Sequence, residues 1–188
     1  YKFKIFSSTT RNQHKYKIVT NSACMRGIVT AIDKCCKFDE PVMIFGETGT
    51  GKELVARAIH YASGRSDYPF VVVNCAEIEN NLAGSILFGH EKGAFTGASS
   101  NHIGLIEQAD HGTLFLDELG ERSYDVQSKL LRAIQYGEIR SVGSLKTKKV
   151  NIRVVTATHR NLSDPIVRND VKFREDLFYR LCSKAIFI

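Results

Sequence analysis

The chain has 188 residues, 43% of them hydrophobic and 24% charged, a balance that fits one soluble globular domain with a sizeable core. No apolar run approaches the ~18 residues of a membrane span, and the start, YKFKIFSSTTRNQHKYK, lacks an apolar signal segment, so neither membrane insertion nor secretion is indicated and a cytoplasmic setting is expected. The formal charge of +6 admits nucleic acid as a partner, but the basic residues are scattered and several crowd the first 17 positions, so a solvated tail is the plainer reading.

Residues 1–15 read as a linker or tail, with a domain beginning near Tyr16. VMIFG (42–46) is a short apolar run ending at glycine, and from Lys52 the residues Leu54, Val55, Ala58, Ile59 and Ala62 recur with helical spacing, which predicts strand, glycine loop and helix. FVVVNC (70–75) is a second strand. The stretch of about 38 residues from Asn74 to Gly112 is too long for a simple connection. It contains GHEKGAFTGASS (89–100), which has neither period and sets Phe95 and Thr96 between glycines. TLFL (113–116) is a third strand, followed by a helix marked by Val126, Leu130, Leu131 and Ile134 that Gly137 can end. GEIRSVGSLKTKKVNIRVV reads as strand, turn near Gly143-Ser144 and return, a hairpin placed ahead of the strand NIRVV (151–155). KAIFI (184–188) is a last strand. Strands of this apolar kind alternating with helices predict an α/β fold with a mostly parallel sheet, with insertions at about 82–110 and 138–150.

The five cysteines (Cys24, Cys35, Cys36, Cys75, Cys182) are odd in number and form no C-x-x-C pair, so they read as reduced and structural. The six histidines form no H-E-x-x-H and none is spaced for ligation with a cysteine, which disfavours zinc and Cys/His nucleophile chemistry.

GETGTGKE, comprising Gly46, Glu47, Thr48, Gly49, Thr50, Gly51, Lys52 and Glu53, satisfies G-x-x-x-x-G-K between a predicted strand and a predicted helix. Glycines let successive N–H groups face phosphate oxygens, the helix start adds partial positive charge, and Lys52 can reach the β- and γ-phosphates. Glu53 replaces the Ser/Thr whose hydroxyl usually touches magnesium. GTLFLDEL places Asp117 and Glu118 at the C-terminal end of a buried strand, where ligands bind in open α/β sheets. Asp117 could hold Mg²⁺ directly or through water, and Glu118 could orient or deprotonate the attacking water. Turn formation after the strand is the alternative for both.

With these motifs, together with FGHEKGAFTGA, RVVTATHRNL and KFREDLFYRL in that order, the chain over about residues 16–188 resembles the AAA+ ATPase domain of bacterial enhancer-binding proteins, the NtrC-like activators of sigma-54 RNA polymerase. The resemblance implies a P-loop NTPase, a three-layer αβα sandwich on a five-stranded sheet, with ATP and Mg²⁺ as ligands. It implies a ring, expected to be hexameric, that remodels the closed promoter complex of the polymerase holoenzyme, DNA being held only by a separate domain. Gly93, Ala94, Phe95, Thr96, Gly97 and Ala98 then form the pore-facing loop that engages sigma-54, the alternative being Phe95 tucked into its own core. The hairpin around Gly143 to Lys149 resembles the second pore loop, although its lysines also read as solvated charge.

Further roles follow from the same resemblance. Asn74 looks like the asparagine that holds Glu118 unproductive, with turn capping as the alternative. Thr158 resembles the γ-phosphate sensor, and His159 falls at a position that varies in the family; a fortuitous polar turn is the alternative for both. Arg174 and Arg180 look like arginines that reach a neighbouring subunit's nucleotide, with pairing to Glu175 or Asp176 in the same chain as the competing explanation. Ile86 departs from the usual Glu. The lid with its sensing arginine is expected beyond Ile188, so this stretch alone is expected to bind nucleotide weakly and form little ring. A nucleotide-gated binding module and a different AAA+ machine are the competing functions.

Overall fold

The computed structural model describes residues 23–121 and 123–188, so the reading of residues 1–15 as a tail and of a domain start near Tyr16 lies outside the described residues. Seven strands lie among the described residues: β1 (Val42–Phe45), β2 (Phe70–Asn74), β3 (Thr113–Asp117), β4 (Glu138–Ile139), β5 (Lys148–Lys149), β6 (Arg153–Thr158) and β7 (Lys184–Phe187). Five form one all-parallel sheet in the order β2-β3-β6-β1-β7, while β4 and β5 pair antiparallel as a separate hairpin. The helices are α1 (Ala23–Cys35), α2 (Lys52–Ala62), α3 (Asn80–Phe88), α4 (Leu105–Gln108), α5 (Tyr124–Tyr136), α6 (Pro165–Asp170) and α7 (Glu175–Leu181).

Every residue of the central strands β1 and β6 is buried, and β3 is buried up to the half-exposed Asp117, which is why these segments read as unbroken apolar runs without alternation. The outer strands β2 and β7 expose Val72 and Phe187. Alternate side chains still serve opposite faces. Met43, Phe45, Leu114, Leu116 and Val154 pack with Phe88, Leu130 and Leu177, whereas Val42, Ile44, Phe115, Val155 and Ala157 pack with Ile32, Val55 and Ile59. The sheet therefore lies between α1 and α2 on one face and α3, α5 and α7 on the other, giving the expected three-layer sandwich.

Gly137 ends α5 in the left-handed region, φ +61°, its N–H donating to Ala133 O. The last inner strand begins two residues later than NIRVV suggests. The long connection after β2 holds a 3₁₀ turn (Cys75–Glu77), α3 and α4 rather than one irregular loop. Cys35, Cys36, Cys75 and Cys182 form no disulfide with one another. No helix among the described residues is long and apolar enough to cross a membrane.

Candidate nucleotide site and glycine-hinged loop

Parallel register brings the strand ends into line: Asn74 lies opposite Asp117, Asp117 opposite Ala157, and Phe45 opposite Thr158. From β1 the chain turns into the glycine loop, where Gly49 and Gly51 take φ of +83° and +91°, angles that side chains disfavour. A Cβ on Gly46 would sit 2.9 Å from Thr50 Oγ1 and 3.2 Å from the Ile188 carbonyl, so a larger residue there would crowd the entry to the loop. Lys52 opens α2 and is 6% exposed, its Nζ curling back to donate to the carbonyls of Gly46 at 2.9 Å and Glu47 at 3.1 Å. Thr50 Oγ1 donates to Glu47 O, while Glu47 and Thr48 are exposed. The carboxylate of Glu53 is engaged by Arg57 one turn along α2, at 2.7 Å.

Across the sheet, β3 delivers Asp117 and Glu118. Glu118 adopts φ +54°, rare for a side chain of its size, and its N–H donates to Ala157 O at 2.9 Å. A backbone outlier of this kind costs about 1–3 kcal/mol and is retained where its surroundings determine it. One carboxylate oxygen lies 3.8 Å from Lys52 Nζ and the other 2.8 Å from His159 Nδ1. Asp117 Oδ1 is buried with no hydrogen-bond partner among the described residues. Burial, and then the adjacent Glu118, push the Asp117 carboxyl above the ordinary aspartate range, against the opposing charge of Lys52. A buried acceptor without a donor suits a divalent cation. No cluster of three or more acidic, His or Cys ligands exists among the described residues, so a cation here would take one carboxylate and complete its shell with phosphate and water.

Thr158 is buried at the end of β6, its Oγ1 accepting from Arg160 N, and its carbonyl accepts from Gly46 N. The expected contact of Asn74 with Glu118 is not formed. Asn74 instead caps the turn that follows β2: its Oδ1 accepts from Ala76 N and its Nδ2 donates to Glu77 at 2.6 Å. The residue on Glu118 is His159, whose part sequence reasoning missed because the contact joins two strands distant in sequence.

Arg174 is engaged within its own chain, bidentate to Asp176 at 2.7 and 3.0 Å and donating to Ser128 Oγ. Glu175 pairs with Arg168 instead. Arg180 is exposed and, among the described residues, makes one 3.5 Å approach to Ile134 O. It lines a cleft with Lys37, Phe38, Asp39 and Ser183, beside the N-terminal ends of β1, β6 and β7. That is the opposite end of the sheet from Lys52 and Asp117.

In the loop of residues 93–98, Gly93 and Gly97 take φ of +84° and +101°, and Gly93 N donates to Ala98 O while Ala98 N donates to Phe95 O. Thr96 is exposed and Ala98 is buried beneath the tip. Phe95 stays 40% exposed with its ring edge-on to His90 at 5.0 Å, so it is not a core residue. The β4–β5 hairpin lies against this loop: Glu91 N donates to Val142 O, Val142 N donates to Gly89 O, and a Cβ on Gly143 would meet that of Ala94 at 2.7 Å. Two hairpin lysines are paired, Lys148 with Glu107 and Lys149 with Glu138. Ile86 is half-buried in α3.

The strand order, the glycine loop after β1 and the Asp-Glu pair at the end of β3 define a P-loop NTPase of the AAA+ class. The profile of the family described as "Sigma-54 interaction domain" matches residues 18–187. The chain belongs to that family, the domain of bacterial enhancer-binding proteins of the NtrC type. It is 51% identical over 171 residues to the Nif-specific regulatory protein of Azotobacter vinelandii, covering 91% of this chain and 32% of that one. The crystal structure of NtrX from Brucella abortus in complex with ATP superposes with a TM-score of 0.83 at 35% identity, over 92% of this chain and 37% of the other. The P-loop NTPase domain of a sigma-54 activator from E. coli, at 17% identity and a TM-score of 0.57, covers 86% of this chain and 99% of its own, and shares the fold. The chain spans about a third of the length of the curated relatives that it matches.

Proposed function

We propose that this chain is the ATP-hydrolysing domain of a cytoplasmic transcription activator that contacts sigma-54 and remodels the closed promoter complex of its polymerase, DNA being held by a separate domain. The observation that carries the reading is the convergence of Lys52 and Glu118, 3.8 Å apart, beside the unpartnered carboxylate oxygen of Asp117. Phosphoryl transfer is mostly positioning and charge neutralisation, and these groups supply both. Backbone N–H groups of residues 46–51 cradle the phosphates, Lys52 leaves the loop carbonyls for the β- and γ-phosphate oxygens, and Thr158 faces the γ-phosphate. Glu118 orients the attacking water and accepts its proton. Asp117 would hold Mg²⁺, which when bound neutralises phosphate charge. The exposed tip at Phe95 and Thr96 is the surface offered to sigma-54, and Arg180 serves the nucleotide of the next subunit in a ring.

In the full-length protein, Glu118→Gln is expected to slow steady-state phosphate release by about 10²-fold or more while ATP still binds. With a transition-state analogue of ATP, the parent should retain sigma-54 and Thr96→Ala should not. Equal phosphate release by Glu118→Gln and the parent would refute the ATPase reading, and equal sigma-54 retention by Thr96→Ala the loop reading.

A further inference from the structure

We infer that His159 is the positioning residue for Glu118, its imidazole holding the carboxylate off the attacking water until nucleotide is in place. The inference rests on the reading of Glu118 as the water-orienting group. Glu118 Oε2 lies 2.8 Å from His159 Nδ1, whereas Asn74, the residue expected to restrain it, is spent on Glu77 and Ala76. An ionised carboxylate can only accept, so Nδ1 carries the proton of this pair. The other oxygen faces Lys52 at 3.8 Å. Of these two contacts, the one to His159 is at hydrogen-bond distance.

The two partners differ in freedom. The Glu118 side chain is 17% exposed on a backbone fixed in the left-handed region, while the His159 side chain is 44% exposed and has room to swing. His159 also follows Thr158 directly, and the Thr158 carbonyl is tied to the first residue of the phosphate loop through Gly46 N at 3.2 Å. A γ-phosphate that reorders Thr158 therefore acts one peptide away from the imidazole. The restraint and its release are built from adjacent residues of one strand end.

In the full-length protein, His159→Ala should raise basal kcat for ATP about three- to tenfold with little change in KM, because a restraint on the carboxylate is lost and no phosphate contact is. His159→Asn, which keeps a donor, should return kcat toward the parent. A lower or unchanged kcat in His159→Ala overturns the inference, as does an asparagine variant that behaves like alanine. A second readout needs no turnover: in ¹⁵N-histidine spectra of nucleotide-free protein the His159 Nδ1 resonance should move in Glu118→Gln, and a fixed resonance counts against the pair. If the parent itself releases no phosphate, the ATPase reading fails and the restraint with it. If the parent is active, Glu118→Gln is slow and His159→Ala is no faster, the restraint alone fails.

Discussion

Asp117 shows how one residue trades stability for function. Its carboxyl is raised above the unfolded value of 3.8 by burial and by Glu118, so the folded state holds the proton more tightly than the unfolded chain does. A raised carboxyl stabilises the fold below the unfolded pKa and loses that contribution as pH rises through the folded pKa, which leaves a net cost at neutral pH. Asp117→Asn is therefore expected to raise the Tm of the nucleotide-free protein at pH 7, with the gain vanishing toward pH 4, and to abolish magnesium-dependent turnover. Thermal unfolding followed by circular dichroism at both pH values checks this, and a variant less stable at pH 7 would contradict it. Lys52, Asp117 and Glu118 were legible because short motifs at strand ends announce them. His159 was not, since its meaning lies in a 2.8 Å contact to a residue 41 positions earlier.

The elements themselves were legible in proportion to how strongly their apolar residues repeat. The inner strands and α2 stood out because burial on both faces, or on one helical stripe, leaves a pattern. Helix α3, NNLAGSILF, did not: Gly84 and Ser85 interrupt it, its start at Glu79 has no side-chain cap, and tertiary packing of Ala83, Leu87 and Phe88 holds it instead. Helix α6 starts on a cap, Asp164 accepting from Ile166 N ahead of Pro165, but its six residues are too few to show an apolar repeat. The pairing of the 93–98 loop with the β4–β5 hairpin is a property of two elements together. Gly143→Ala would place a methyl group 2.7 Å from Ala94 Cβ at a φ of +80°. The variant is expected to exchange amide hydrogens faster across residues 89–100 while nucleotide affinity stays near that of the parent. Unchanged exchange would show that the two segments are not mechanically joined.

For the whole molecule, Arg180 and Lys52 belong to opposite ends of the sheet, so an arginine acting on nucleotide from that position must act on another subunit's. Turnover by the full-length protein should rise more than linearly with concentration. Arg180→Ala and Lys52→Ala should each be inactive alone yet regain activity when mixed, because in the proposed shared site one subunit would supply the arginine and its neighbour the intact loop. Mixtures no better than their components would restore a self-contained site. Arg174→Ala tests the weaker candidate, since its guanidinium must first leave Asp176. The stitching of Val142 to both Gly89 and Glu91 has a mechanical corollary. A tug on the aromatic fingertip is not borne by one slender strap of glycine-rich chain. Through two amide cross-ties it is shared with a second segment, the one that leaves α5 at Gly137, so a load on the tip is a load on both.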